Sequence, residues 1–206
     1  MSRLLVVNRS LESAKKGTAI GGRKRVRDPT LFAESTNQMP PDTISRIVTD
    51  ADIPAIEALH DRAFGPGRYA RTAYRIREGL KPFSPLCRIA ERNGRLVAAL
   101  RMAPVTIGGK SGAELLGPLS VEPALAGQGI GRALVGEALA CARQAGIQLV
   151  VLVGDLSYYQ RFGFRISRPG QLLLPGPVDQ SRLLILELVA GTSEGYRGEV
   201  RGAIGG

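Results

Sequence analysis

The sequence predicts an α/β fold: a single domain built on a mixed central β-sheet flanked by helices. Three observations carry that reading. Strand-like and helix-like periods alternate from Thr43 onward, two strand-like runs are broken by Asn93-Gly94, and an amphipathic helix leads into the continuous apolar run "QLVVLVG". An Asn-Gly pair favours the mirror-image turn that matches the twist of a hairpin, which means antiparallel pairing. A short apolar strand following a helix is of the type buried on both faces in parallel pairing. Both pairings in one chain make the sheet mixed. With 206 residues there is room for one domain with a substantial core, plus tails.

In chain order, "TISRIV" reads as a strand and "TDADIPAIEALHDRAF" as a helix, with Thr49 or Asp50 as cap, Pro54 in the first turn and Ile53, Ile56, Leu59 and Ala63 on one face. A second short helix, "ARTAYRIREGL", follows. Next come the hairpin "LCRIAERNGRLVAALRMAPVTIGG" and a further strand, "AELLGPLSV". The segment after Gly131 is an amphipathic helix whose end is marked by Gly146, and "QLVVLVG" is the strand it feeds. "SYYQRFGF" reads as extended, "LLILELV" as the last strand, and residues 191–206 as a glycine-rich tail. No internal repeat is present.

Residues 1–40 differ from the rest. "KKGTAIGGRKRVRDPT" is basic and has no sustained hydrophobic period, so the expectation is a disordered or loosely packed extension. Its "LLVV" is too short for a secretory signal. Met39 directly precedes the first structural segment, which also fits an upstream start codon; a nucleic-acid-binding role for the arm stays open. The net charge of +10 favours anionic partners, among them nucleic acid, acidic lipid and a polyphosphate cofactor. No apolar run approaches the roughly 20 residues of a membrane span, so no membrane partner is expected. Two cysteines, Cys87 and Cys141, and one histidine, His60, supply neither a metal site nor a disulfide framework. The cysteines read as core, His60 as helix surface or core, and the setting as reducing and cytoplasmic.

The chemistry concentrates in "AGQGIGRALVGEALACARQAG", where Gly127, Gly129 and Gly131 alternate before the helix. Glycine permits turns closed to other residues and lets a ligand approach backbone N–H groups. At a helix start those groups and the positive end of the dipole form an anion site, most often for phosphate. The plainer alternative is a tight strand-to-helix turn. A dinucleotide fingerprint fails on spacing: G-x-G-x-x-G begun at Gly127 puts Arg132 at the third glycine, and begun at Gly129 puts Leu134 there. No G-x-x-x-x-G-K-[ST] occurs either.

The stretches "LGPLSVEPALAGQGIGRALV" and "LVVLVGDLSYYQRFGF" resemble the GNAT superfamily of N-acetyltransferases, and more specifically its YhbS-like branch, over most of residues 43–190. Leu119, Val121, Pro123, Gly129 and Gly131 match the family's pattern; Ala126 stands where the family has Arg or Gln. The resemblance implies a GNAT-type sheet and acetyl-CoA as co-substrate. Its pyrophosphate would sit on the N–H groups of Gln128, Gly129, Ile130, Gly131 and Arg132, and its pantetheine arm along Leu119, Ser120 and Val121. It also implies that Tyr159, four residues before Gly163, protonates the departing thiolate, a phenol pKa near 10 being roughly matched to a thiol near 8.5. The other reading of Tyr159 is a core tyrosine, with Tyr158 as its exposed neighbour. Glu122, Glu91 and Asp155 are equally poised as general base or solvated charge, and a water chain can do the same task. The segment "FGPGRYARTAYRIREG" should wall the acceptor side, its Arg68, Arg71, Arg75 and Arg77 either reading an anionic amine or forming a solvated basic face. The implied activity is acetyl transfer to a primary amine, small-molecule or peptide, by direct attack in a ternary complex. A non-catalytic CoA-binding regulatory module and a nucleic-acid-associated protein remain as alternatives.

Overall fold

The computed structural model describes residues 38–65, 72–80 and 83–203. The basic extension lies outside them except for its last three residues, and so do Arg68 and Arg71. Strand β1 (Thr43–Ile47) runs through a short turn into α1 (Ile53–Phe64). Thr49 opens that turn with a reciprocal cap, its backbone N–H and its hydroxyl each donating to the Asp52 carboxylate at 2.8 Å. Arg46 grips the same carboxylate through both Nη atoms at 2.7 Å and holds its pKa well below the usual range.

The hairpin is β2 (Arg88–Arg92) and β3 (Arg95–Ile107), with Asn93 at φ 52° and Gly94 at φ 70° in the left-handed conformations that a type I′ turn requires. Strand β4 (Lys110–Val121) returns antiparallel to β3. Helix α3 (Ile130–Gln144) crosses to β5 (Leu149–Val153), which pairs parallel to β4. After α4 (Leu156–Tyr159) come β6 (Arg165–Ile166), β7 (Leu172–Leu173), β8 (Leu183–Glu187) and β9 (Gly198–Gly202). The order across the sheet is β1-β2-β3-β4-β5-β8-β6, with β9 beside β3 and β7.

Strand β5 shows why this sheet needs cover on both faces. Val150 and Leu152 pack in one core with Leu134, Ala138 and Leu139 of α3; Leu149 and Val151 pack in a second with Leu115, Ile185 and Tyr196. All four β5 side chains are shielded from water, each contributing about 1.5–3 kcal/mol of burial. No helix among the described residues is long and apolar enough to cross a membrane.

Three expectations give way. The second helix, α2 (Thr72–Arg75), is a single turn; beyond it the N–H groups of Arg77, Glu78 and Leu80 bond three residues back, a tighter winding that buries Ile76 and Arg77. "SYYQRFGF" is not extended: Tyr158 and Tyr159 both donate their N–H to the Asp155 carbonyl, and Gly163 at φ 91° ends the winding. Helical spacing lets Tyr158, Tyr159 and Phe162 cluster, which the alternation of a strand would prevent. The glycine-rich tail contains β9, which pairs with β3 from Val105↔Gly202 to Ile107↔Val200. Its glycines serve close approach, since a Cβ on Gly202 would stand 2.5 Å from the Ile76 carbonyl oxygen.

Candidate active site

The start of α3 is built by backbone conformation. Gly127 at φ 81° and Gly129 at φ 88° take left-handed geometry that a side-chain-bearing residue adopts at a cost of about 1–2 kcal/mol. Gly129 is the N-cap, and no side chain caps the helix. The ladder begins where Ala133 N–H meets the Gly129 carbonyl at 2.9 Å, so the N–H groups of Ile130, Gly131 and Arg132 precede it. The Gln128 N–H turns back toward the Leu125 carbonyl at 3.4 Å, while its side chain accepts from Arg92 at 2.8 Å. The Arg132 guanidinium folds over Gly129, and its shielded Nε has no acceptor among the described residues.

Beside this loop β4 leaves β5. Their pairing runs only from Ala113↔Leu149 to Leu115↔Val151, after which β4 bulges: Gly117 and Pro118 together face Arg101 between the pairs Leu116↔Met102 and Leu119↔Leu100. The Glu122 N–H donates to Val97 on β3 at 2.7 Å. By the alternation of an antiparallel ladder, the N–H groups of Leu119 and Val121 point to the opposite edge, which β5 has vacated. Ser120 is buried and its hydroxyl leans on the Ala99 carbonyl at 3.4 Å. The gap opens into a cavity of ≈ 690 Å³ bounded by Leu116–Leu119, Val153–Asp155, Tyr158, Tyr159 and, across from them, α2 and the loop Pro177–Asp179.

Both tyrosines reach this cavity, on different terms. A Cβ on Gly131 would stand 3.1 Å from Val121 Cγ2, 3.2 Å from the Tyr158 hydroxyl and 3.5 Å from Leu119 Cδ2, so Tyr158 joins the strand edge to the helix start. It is half-buried rather than the exposed neighbour expected. Tyr159 packs edge-on to Phe164 at 5.6 Å and lies against Gly154, where a Cβ would fall 2.6 Å from its ring. Burial pushes both phenols up; the neighbouring Tyr158 and Asp155 add to the rise at Tyr159, and Arg161 and Arg132 oppose it at Tyr158. Both stay protonated donors at neutral pH.

The expected bases separate. Glu91 is ruled out by position: it pairs with Ile44 on the far edge of the sheet and binds Arg46 at 2.6 Å. Glu122 is held by Arg62 at 2.9 Å and does not line the cavity. Asp155 does line it, largely exposed, with Arg182 Nε at 3.4 Å. Across the cavity Thr72 donates to the Pro177 carbonyl at 2.9 Å, tying α2 to the loop opposite. Arg77, expected on a basic helix, is instead buried and lines the cavity. Sequence reasoning missed Tyr158 and the loop 177–179; the latter carries no motif and comes to the site only through the return of β8.

The chain resembles known proteins over this framework. The model of the acetyltransferase (GNAT) domain family matches residues 84–166, from the approach to β2 through β6. The N-acetyltransferase YhbS of Escherichia coli (strain K12) is 29% identical over 157 residues, 75% of this chain and 93% of YhbS. The N-acetyltransferase YjhQ of the same strain is 30% identical over 121 residues, 57% of this chain and 67% of YjhQ. Among solved structures, E. coli YhbS in complex with CoA superposes with a TM-score of 0.68 at 28% identity, covering 81% of this chain and 93% of that one. A GNAT family acetyltransferase from Brucella melitensis in complex with acetyl-CoA gives 0.54 at 35% identity, covering 70% and 95%. The parted strands β4 and β5, the uncapped glycine start of α3 and these similarities together make the chain a member of the GNAT family of acetyltransferases.

Proposed function

We propose that the chain transfers an acetyl group from acetyl-CoA to a primary amine by direct attack in a ternary complex. The observation that carries this reading is the parting of β4 from β5 beside the uncapped start of α3. It leaves the strand edge at Leu119 and two protonated phenols on one cavity, and Tyr158 joins that edge to the open helix start at Gly131. The CoA and acetyl-CoA held by the two solved relatives support the choice of co-substrate.

In this reading the N–H groups of Gly129, Ile130, Gly131 and Arg132 receive the pyrophosphate, where the dipole of α3 favours negative charge. Gln128 contributes through its position beside them. The edge of Leu119, Ser120 and Val121 takes the pantetheine arm as an added strand, and the Val121 N–H faces the thioester carbonyl, where oxyanion charge develops. The neutral amine forms the C–N bond, the C–S bond breaks, and the ammonium proton passes to solvent or to Asp155. Tyr159 donates its phenolic proton to the departing sulfur. The Tyr158 hydroxyl, beside Gly131 and Val121, supports a second reading in which it is the donor.

Two free cysteines, one buried and one partly so, fit a reducing, cytoplasmic setting. Free-thiol release from acetyl-CoA across an amine panel tests the proposal. Amine-dependent release supports it, whereas acetyl-CoA binding without release leaves a CoA-binding module.

A further inference from the structure

The acceptor half of the cavity holds a cation with no evident structural task. Arg77 is only 5% exposed, yet it lines the cavity, and its Nη2 lies 3.8 Å from the point where a Cβ on Gly117 would stand, at the bulge of β4. Its shielded Nε has no acceptor, and no carboxylate pairs with it, among the described residues. The neighbouring stretches 66–71 and 81–82 contain neither Asp nor Glu. Among the described residues the Tyr74 ring lies 5.6 Å from its guanidinium, and Tyr74 and Cys87 offset only part of the cost of burial. A desolvated guanidinium without an anion costs stability, and an apolar side chain of similar size would fill the space more favourably.

The surroundings define what the missing anion must be. On β3, Leu100 pairs with Arg88, whose Nη2 meets Cys141 of α3 at 2.9 Å; the next residue, Arg101, therefore faces the opposite side, toward Glu57 of α1. Burial and the nearby Arg101 push the Arg77 pKa down to about 9, so it remains charged at neutral pH. Arg101 does not line the cavity; of the two arginines that do, Arg182 has Asp155 at 3.4 Å, which leaves Arg77 as the lining cation without a carboxylate partner among the described residues. A planar guanidinium with one charge to neutralise matches a carboxylate, which it can hold through two parallel bonds, better than a dianionic phosphate.

Resting on the acetyltransferase reading, we propose that the acceptor is an amine carrying a carboxylate, seated on Arg77 at the β4 bulge. The cavity's apolar lining, Leu116, Pro118, Val178 and Phe64, suits an amino acid or peptide end with a hydrophobic side chain.

The test compares amino acids with their own carboxamides, and with phosphoethanolamine, as acceptors for the full chain and for Arg77→Gln and Arg77→Lys. We expect kcat/KM for the acids to exceed that for the carboxamides by at least about tenfold, because a site built around a buried charge rejects the analogue lacking its partner. The ratio should fall to near one in Arg77→Gln and be partly restored in Arg77→Lys. Equal use of acids and amides by the wild type, a ratio that survives Arg77→Gln, or preference for the phosphoester would overturn the proposal. Binding gives an arm independent of turnover: N-acetyl-leucine and its carboxamide are titrated onto the protein with CoA present. If no amine releases CoA, the transferase reading fails, and this titration then decides the anion site alone. Binding of the acid over the amide, lost in Arg77→Gln, upholds the site, and no such difference refutes it.

Discussion

The Tyr158 hydroxyl lies 3.2 Å from the point where a Cβ on Gly131 would stand, and Val121 Cγ2 lies 3.1 Å from the same point. Strand edge, helix start and the α4 turn therefore meet around one missing methyl group. Gly131→Ala adds it. The helix itself tolerates alanine, so the melting temperature should hold within a few degrees. Acetyl-CoA affinity should fall roughly three- to tenfold as Tyr158 and Val121 yield by a few tenths of an ångström, a cost of about 1 kcal/mol. Adding Tyr158→Phe should recover part of that loss. Calorimetric titration checks both, and unchanged affinity in Gly131→Ala would separate this junction from the cofactor.

The two tyrosines can be told apart by turnover. Removing the proton donor should lower kcat by about 10²–10⁴-fold with little change in acetyl-CoA affinity, as expected for an interaction made only in the transition state. Tyr159→Phe should show this loss and Tyr158→Phe a much milder one. The reverse order assigns the proton to Tyr158. Loss of stability and affinity together in Tyr159→Phe would make its ring, wedged against Gly154 and Phe164, a packing element only. Because the folded protein holds the Tyr159 phenol above its ordinary pKa of 10, the donor stays protonated through the alkaline range, so a fall in kcat below pH 9 must come from another group.

Glu114 gives a stability test remote from the chemistry. It sits on β4 opposite Pro104 and Val150, 4% exposed, with Oε2 lacking a partner among the described residues; burial pushes its pKa from 4.5 up to about 7. The unfolded chain loses this proton near pH 4.5, whereas the folded chain keeps it to about 7. The contribution of the protonated form is whole below about 4.5 and is lost as pH rises through 7, on the order of 3 kcal/mol at most. Glu114→Gln should therefore flatten the decline in stability between pH 5 and 8 and be the more stable protein at pH 8. Urea denaturation at the two pH values measures this, and parallel changes in the two proteins would contradict it.

What the sequence made legible was local. Asn93-Gly94, Thr49 as a cap, the glycines before α3 and Gly146 after it are signals read within a few residues, and each stands where it was expected. The both-face burial of β5 followed from its unbroken apolar run. The misreadings concern segments whose conformation depends on distant partners. The segment of Tyr158 and Tyr159 winds as a helix because one ring packs toward Gly131 and the other against Phe164. The glycines of β9 read only as a glycine-rich tail, but they serve contact with Ile76 and Gly108. Arg77 looked like one charge of a solvated face. Only the tight turns after Tyr74 and the bulge at Gly117 turn it into the cavity, and neither has a sequence signature. The turn geometry of the glycine loop was legible; the surroundings of the candidate bases were not, because Glu91 and Glu122 are defined by the arginines that hold them.

The central claim is amine-dependent acetyl transfer at the gap between β4 and β5, and one measurement addresses it most directly. Free thiol released from acetyl-CoA is followed with and without an amine panel, for the wild type and for Gly129→Glu, whose carboxylate would stand where the helix start is open to an anion. The account predicts release that rises with amine in the wild type and is lost in Gly129→Glu, with the variant still folded by circular dichroism. Release that never rises with any amine despite tight acetyl-CoA binding, or that persists undiminished in Gly129→Glu, would contradict it.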